Sequence, residues 1–105
     1  GRVVNVSSLS GKRVRNDNIA YAMTKFALMA LTHGIRRTGW EDGVRATALC
    51  PGFVATELTA GVNKVAREEM IDAEDLAELA ATVIALPNTA SVAELLVNCR
   101  HEDML

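Results

Sequence analysis

The sequence predicts an α/β fold built on a parallel sheet, with the element order β-α-β-lid-α-β. Half of the 105 residues are apolar and only 4% are aromatic, so the core consists mainly of small aliphatic side chains. Such a core is typical of parallel sheets that are covered on both faces. Three short apolar segments alternate with two segments of helical periodicity, which favours parallel strands joined by right-handed crossovers. Three strands and two helices make half of a doubly wound sheet.

The first strand is predicted at Arg2–Val6, where "RVVNV" is followed by the turn signal "SSLSG". Residues 11–17 are polar and predict a loop. A helix follows over residues 18–38, with Asp17 or Asn16 as its N-cap. This helix carries an apolar stripe and, beside it, a more polar one. The apolar stripe comprises Ala22, Phe26, Met29, Ala30 and His33, and the polar stripe comprises Tyr21, Lys25, Leu28 and Thr32.

The second strand is predicted at Val44–Leu49, and the turn dipeptide Pro51-Gly52 follows it. Residues 53–71 show weak helical periodicity, as expected of a mobile surface segment. A second helix begins at Asp72 and ends before "LPN". The third strand is predicted at Val92–Cys99, and a polar tail ends the chain.

The composition excludes several classes of function. The net charge is −2, and the only basic group in the sequence, Lys12, Arg13 and Arg15, is interpreted as a solvated turn. We therefore expect neither a nucleic-acid partner nor a membrane surface. Cys50 and Cys99 lack metal-ligand spacing, so no metal is predicted and both cysteines are expected to be reduced. Without a signal sequence or a long apolar run, the predicted location is cytoplasmic.

The candidate catalytic residues are Tyr21, Lys25 and Ser8. Tyr21 and Lys25 are four residues apart on a predicted helix, so both side chains project from one face. The ammonium group and the positive end of the helix dipole both favour the phenolate, which makes the phenol a better proton donor and acceptor near neutral pH. Ser8 ends the preceding strand at the sheet edge where the helix begins. Its hydroxyl can therefore polarise the carbonyl oxygen that Tyr21 protonates.

Each of these signals, taken alone, has an ordinary structural explanation without any catalytic role. A tyrosine and a lysine on an amphipathic helix are usually a surface pair, and two serines after a strand are usually a turn or a cap. The joint order is more specific: a strand ending in N-x-S-S, a helix with Y-x-x-x-K, then a strand followed by P-G-x-x-x-T. No purely structural explanation requires all of these motifs together.

The segments "VVNVSSLSG", "YAMTKFALMALT" and "GVRATALCPGFVATEL" closely resemble the second half of a classical short-chain dehydrogenase/reductase. The resemblance implies a Rossmann-like sheet and NAD(P)-dependent oxidation of an alcohol or reduction of a ketone in a small molecule. In that family the catalytic serine precedes the tyrosine by thirteen residues, which matches Ser8. Tyr21 then corresponds to the general acid/base, and Lys25 to the residue that lowers its pKa and holds the nicotinamide ribose.

The resemblance also implies cofactor contacts after the second strand. The family's P-G-x-V/I-x-T element matches Pro51, Gly52, Val54 and Thr56. The backbone at Val54 would meet the nicotinamide carboxamide, and Thr56 would meet the pyrophosphate. The cofactor is thus NAD or NADP, and the sequence does not indicate which.

One departure from the family is large, because the G-x-x-x-G-x-G phosphate-binding loop has no match among the seven glycines. We therefore expect residues 1–105 to be the carboxyl-terminal catalytic half of a dehydrogenase domain that lacks its amino-terminal nucleotide-binding half. Such a piece is expected to be inactive alone.

Residues 57–71 correspond to the family's substrate lid. Leu58 and Val62, with Val65 and Met70, make the lid apolar on one side, which predicts a substrate with an apolar part. Ordinary packing of a surface segment explains the same pattern equally well. The family also implies a homodimer or homotetramer, in which the stripe containing Phe26 would take part.

Two other functions remain open from the sequence. The first is a non-catalytic dinucleotide-binding or scaffolding relative. Such a protein, however, does not need a tyrosine whose pKa is lowered by a neighbouring lysine. The second is an epimerase or dehydratase of the family's extended branch, which uses the same tyrosine and lysine. The compact P-G-x-x-x-T element fits the classical branch better.

Overall fold

Three parallel strands and two helices make up the fold in the computed structural model, which describes residues 1–105. In chain order the elements are β1 (Arg2–Val6), α1 (Ile19–Gly39), β2 (Arg45–Pro51), α2 (Ala73–Ala85) and β3 (Glu94–Val97). The strands form one sheet in the order β1-β2-β3. The predicted α/β fold is therefore confirmed. Neither helix combines the length and hydrophobicity that a membrane span requires.

Strand β2 is the centre of the sheet, and all seven of its residues are buried. It pairs with β1 from Arg2↔Arg45 to Val6↔Leu49 and with β3 from Ala48↔Glu94 onward. Met29 of α1 packs on Ala48 and Cys50, so one face of β2 forms a small core with the helix. β1 and β3 each have one strand neighbour, and β1 therefore presents an unpaired edge.

The N-cap of α1 is Asn18, not Asp17 or Asn16 as predicted. The Asn18 side chain accepts a hydrogen bond of 3.4 Å from the backbone N–H of Tyr21. Asn16 instead accepts a bond of 2.9 Å from the N–H of Asn18 and so fixes the turn before the helix. Asp72 caps α2 as predicted, through a bond of 2.9 Å from the N–H of Glu74.

The buried face of α1 differs from the predicted apolar stripe. Ala22 and Met29 are buried, but Phe26 is 42% exposed. Thr32, which was predicted on the polar stripe, is fully buried because its hydroxyl is satisfied. That hydroxyl donates to the carbonyl of Leu28 at 2.8 Å and accepts from Asn5 Nδ2 of β1 at 3.0 Å. The internal hydrogen bonds allow a polar residue to occupy the helix–sheet contact.

Residues 53–71 contain two short 3-10 helices, Glu57–Thr59 and Arg67–Glu69, within an irregular path. The segment is tied back to itself by a parallel bridge between Val54 and Ile71. Val65 and Met70 are buried, at 4% and 8% exposure. Their burial fixes the segment against the body of the protein.

Candidate active site

An open cleft of about 770 Å³ lies at the carboxyl ends of β1 and β2, beside the first turn of α1. This edge is where ligands bind in open parallel sheets. The residues come from the ends of two strands, the loop before α1, the lid and the carboxyl-terminal tail. Its lining comprises Ser8, Leu9, Ser10, Arg13, Arg15, Asn16, Asn18, Tyr21, Gly52, Phe53, Thr59, Val62, Asn63, Lys64, Arg100 and Glu102.

The two serines after β1 have different surroundings. Ser7 is buried, and its hydroxyl donates to the carbonyl of Lys25 at 3.2 Å. Ser8 lines the cleft and caps a 3-10 helix at Leu9–Gly11, with its Oγ accepting from the N–H of Ser10 at 3.0 Å. Because Oγ accepts that bond, its O–H proton is still available for donation to a ligand.

Gly11 brings the loop that carries Ser7 and Ser8, here called the serine loop, close to α1. A Cβ at this position would lie 2.7 Å from Ser7 Oγ and 2.9 Å from the carbonyl oxygen of Lys25. Only a residue without a side chain permits this approach of the two backbones. The contact holds the loop that carries Ser8 against the helix that carries Tyr21.

Tyr21 lies in the first turn of α1 and is 44% exposed. Its phenolic hydroxyl forms no hydrogen bond within the protein, so it is free to bind a ligand in the cleft. The Lys25 ammonium lies 5.5 Å from the centre of the Tyr21 ring, and its Nζ is 3.5 Å from the carbonyl oxygen of Val6. This arrangement places a positive charge beside the phenol.

The turn after β2 supplies backbone groups near the same edge. Pro51 is buried, and the N–H of Gly52 donates to the carbonyl of Val97 at 2.8 Å. A Cβ on Gly52 would lie 3.3 Å from Leu9 Cδ1, so this glycine allows close packing against the serine loop. Val54 accepts a hydrogen bond at its carbonyl from the hydroxyl of Thr59, whereas its N–H has no partner among the backbone hydrogen bonds.

The structure brings some of the predicted site residues together and leaves others outside the cleft. Ser8, Tyr21, Gly52 and Val62 line it. Lys25, which was predicted as both a catalytic residue and a cofactor contact, lies outside the lining, as do the predicted cofactor contacts Pro51, Val54 and Thr56. Leu58, a predicted substrate contact, is also outside, and its side chain is 95% exposed.

Five charged residues of the lining were missed as site residues. Arg13 and Arg15 belong to the basic group that was interpreted as a solvated turn, and Arg100 and Glu102 belong to the tail. Glu102 Oε2 lies 2.7 Å from Arg13 Nη2 and 3.1 Å from Arg15 Nη1. Burial raises the pKa of Glu102, but the hydrogen bonds and charges of the two arginines outweigh it and hold the pKa below 4.5. The fifth residue, Lys64, comes from the lid.

Residues 1–67, more than half of the chain, match the family model described as short chain dehydrogenase. The chain belongs to the short chain dehydrogenase family.

Relatives and solved structures agree with this assignment. Agropine synthesis reductase of Rhizobium rhizogenes is 45% identical over 104 residues, which are 99% of this chain and 24% of that protein. A betaketoacyl-ACP reductase from Bacteroides thetaiotaomicron is 31% identical and has a TM-score of 0.74. An alcohol dehydrogenase from Thermococcus sibiricus, complexed with 5-hydroxy-NADP, is 25% identical and has a TM-score of 0.76.

These comparisons also define how much of the family's length the chain spans. It covers 24% of the Rhizobium reductase. It covers 40% of each of the two solved chains, in matches that take in 93% and 91% of its own length. The predicted family and the Rossmann-like half sheet are therefore confirmed. The catalytic and cofactor-binding roles of individual residues remain predictions for this chain.

Glu94 of β3 links the loop that carries Ser8 to the sheet and to α1. Its Oε1 lies 2.8 Å from Lys12 Nζ in the loop, and its Oε2 lies 2.7 Å from His33 Nε2 on α1. The hydrogen bond from Lys12, and then that from His33, holds the pKa of Glu94 below its ordinary value of 4.5. The ionised carboxylate thus stabilises the loop that carries Ser8.

Replacing Glu94 with glutamine is expected to lower the free energy of unfolding by about 1 kcal/mol near neutral pH. Because the folded pKa is depressed, the contribution of Glu94 is complete above about pH 4.5 and is lost as the pH falls through the folded pKa. Urea denaturation of both proteins at about pH 7 and about pH 3 measures the change. Glu78→Gln on α2 is the matched control. A difference that stays constant over this range would contradict the prediction.

Proposed function

We propose that this chain is the catalytic half of an NAD(P)-dependent oxidoreductase that reduces a ketone, or oxidises the corresponding alcohol, in a small molecule. The observation that carries the proposal is the common cleft of Ser8 and Tyr21, with the Lys25 ammonium 5.5 Å from the centre of the Tyr21 ring. The reductive direction is supported by the relative at 45% identity, which is named as a reductase.

In the proposed reaction, Ser8 and Tyr21 act on the same carbonyl oxygen. The Ser8 O–H donates a hydrogen bond to that oxygen and so makes the carbonyl carbon more electrophilic. When bound, the nicotinamide supplies a hydride to this carbon. Tyr21 gives its phenolic proton to the oxygen, and the product is an alcohol. Lys25 stabilises the phenolate that Tyr21 becomes, and solvent in the open cleft returns the proton.

The groups near the cleft fit a nicotinamide dinucleotide. The N–H of Val54 has no backbone partner and can donate to a carboxamide, while Lys25 is part-exposed and can donate to ribose hydroxyls. Pro51 and Gly52 would hold the chain close to the ring, and Thr56 would face the pyrophosphate. The complex of the Thermococcus alcohol dehydrogenase with 5-hydroxy-NADP supports NAD or NADP as the cofactor.

We also propose that activity requires a nucleotide-binding half in addition to residues 1–105. Two observations support the requirement for a second half. The unpaired edge of β1 can accept further strands of a doubly wound sheet, and the similar structures are more than twice as long as this chain. The chain alone is then inactive, since the phosphate-binding loop would come from that half.

Self-association into a homodimer or homotetramer is the proposed quaternary state. The outer face of α1 supports it, because Met23, Phe26 and Leu31 are exposed by 66%, 42% and 54%. Exposed apolar side chains on one helix favour contact with another protein surface.

Transfer of deuterium from labelled cofactor tests the proposed function. The full-length protein that carries this chain is incubated with NADPH or NADH, deuterated at the transferable position, and with a panel of short ketones, keto acids and keto sugars. We expect one deuterium at the carbonyl carbon of the product, measured by mass spectrometry, and none with residues 1–105 alone. Absence of transfer to the whole panel, without cofactor binding, would contradict the proposal. Epimerised or dehydrated product without net oxidation of the cofactor would indicate epimerase or dehydratase chemistry.

A further inference from the structure

The cleft carries a charge opposite to that of the whole chain. Four of its lining side chains are basic, Arg13, Arg15, Lys64 and Arg100, and one is acidic, Glu102. The lining therefore has a net charge of +3, whereas the whole chain has a net charge of −2. Basic residues are outnumbered by acidic ones in the whole sequence, 11 to 13. Their excess at this cleft is therefore a local feature of the site.

Only part of this positive charge is neutralised within the protein. Arg13 and Arg15 share the single carboxylate of Glu102, which leaves one charge in excess in that group. Arg15 is still 41% exposed. Lys64 and Arg100 form no salt bridge, and Arg100 Nη1 makes only a long contact of 3.4 Å to the carbonyl oxygen of Lys64.

These cations come from three separate segments that meet only in the fold. Arg13 and Arg15 follow the serine loop, Lys64 belongs to the lid, and Arg100 follows β3. Like charges brought together in this way repel one another unless an anion lies between them. A ligand anion in the cleft would relieve that repulsion and would accept charge-assisted hydrogen bonds from the guanidinium and ammonium groups.

We propose that the substrate is a small carbonyl compound with an anionic group, a carboxylate or a phosphate, which Arg15, Lys64 and Arg100 bind. This inference rests on the proposed function, because the carbonyl is assigned to Ser8 and Tyr21 in the same cleft. A cavity of about 770 Å³ is of the size that holds a small molecule. Anion binding orients the substrate, and the apolar side chains of Phe53 and Val62 contact its carbon skeleton.

Equilibrium binding of matched probes to the full-length protein tests the inference without requiring turnover. The carboxylate pair is acetoacetate and methyl acetoacetate, and the phosphate pair is dihydroxyacetone phosphate and dihydroxyacetone. We expect the anionic member of at least one pair to bind about tenfold more tightly than its neutral partner in calorimetry. Raising the salt concentration should reduce that preference, because the cleft is open to solvent. The pair that shows the preference identifies the anionic group.

Charge-neutral variants locate the binding groups. Lys64→Gln and Arg100→Gln are each expected to weaken binding of the preferred anion about fivefold and to leave the neutral probe unchanged. Arg37→Gln removes an exposed positive charge from the far end of α1 and should change binding less than twofold. NADPH affinity, measured by fluorescence, should be the same in all three variants.

Three results would overturn the inference. The first is no preference for the anionic member of either pair, and the second is an equal loss in Arg37→Gln. The third is weaker NADPH binding in the Lys64 and Arg100 variants with unchanged probe binding, since the cations would then serve the cofactor. Anion preference with neither deuterium transfer nor cofactor binding would leave the anion site standing and reject the oxidoreductase proposal, so the two failures are distinguishable.

Discussion

Replacing Tyr21 with phenylalanine is expected to lower kcat of the full-length protein by about 10²- to 10⁴-fold. The substitution removes only the phenolic oxygen, which has no hydrogen bond within the protein, so the fold should not change. The ring remains beside the Lys25 ammonium, 5.5 Å from its centre. What is lost is the proposed proton donor in the cleft. Steady-state kinetics with the substrate identified by deuterium transfer measures the effect.

A matched control for this variant is Thr82→Val, which removes one hydroxyl from the exposed side of α2, where it donates to the carbonyl of Glu78. Its kcat should stay within about twofold of the parent value. Cofactor affinity should survive in Tyr21→Phe, because the ribose contact is assigned to Lys25. A scaffolding relative would show no turnover in any of these proteins. Full activity of Tyr21→Phe would exclude the phenol as the proton donor.

The adjacent serines provide the second large effect. Ser8→Ala is expected to lower kcat by about 10²-fold or more, because it removes a donor that acts on the developing charge of the carbonyl oxygen. Ser7→Ala should leave kcat within about threefold. It should lower the free energy of unfolding by about 1 kcal/mol, because the buried hydroxyl donates to the carbonyl of Lys25. Kinetics and urea denaturation of both variants separate the two roles.

The pair of alanine variants is informative because the changes are chemically identical and one residue apart. Only Ser8 lines the cleft, while Ser7 is 4% exposed. A large loss of kcat in Ser7→Ala with an active Ser8→Ala would reverse the assignment. Equal losses, together with equal destabilisation, would show that the serine loop acts through its conformation alone.

The fold followed from short-range sequence signals. Apolar strands bounded by Gly, Pro and Ser, and helices with clear caps such as Asp72, are local features that residue order records. Strand boundaries were less accurate: β3 spans Glu94–Val97, whereas the prediction was Val92–Cys99. Residues 92–93 and 98–99 lie beyond the ladder with β2, because an apolar run does not show where the strand pairing ends.

The face of α1 could not be predicted because hydrophobicity alone does not decide burial. Thr32 is buried since Asn5 and the Leu28 carbonyl satisfy its hydroxyl, and Asn5 is distant in sequence. Phe26 is exposed although it is one of the most apolar residues of the helix. A residue pattern does not reveal such tertiary hydrogen bonds.

Site residues that belong to a sequence motif were predicted, whereas the charged residues that only the fold brings together were missed. Tyr21 was identified from the Y-x-x-x-K motif, and Ser8 from its place at the strand end together with the family resemblance, and both line the cleft. The cations were not, because Arg15, Lys64 and Arg100 are far apart in sequence and each resembles an ordinary surface residue. Of the lid residues predicted to be apolar contacts, Val62 lines the cleft and Leu58 does not, since irregular 3-10 segments lack a regular period.

A double-variant cycle tests most directly whether the two hydroxyls act as a unit. The kcat of Ser8→Ala/Tyr21→Phe is compared with those of the two single variants, the substrate and cofactor being the same throughout. If Ser8 and Tyr21 serve one carbonyl oxygen, the double variant should be about as slow as Tyr21→Phe alone, because the first loss already removes the coupled step. Losses that multiply in full would show two independent sites of action and would contradict the proposed mechanism.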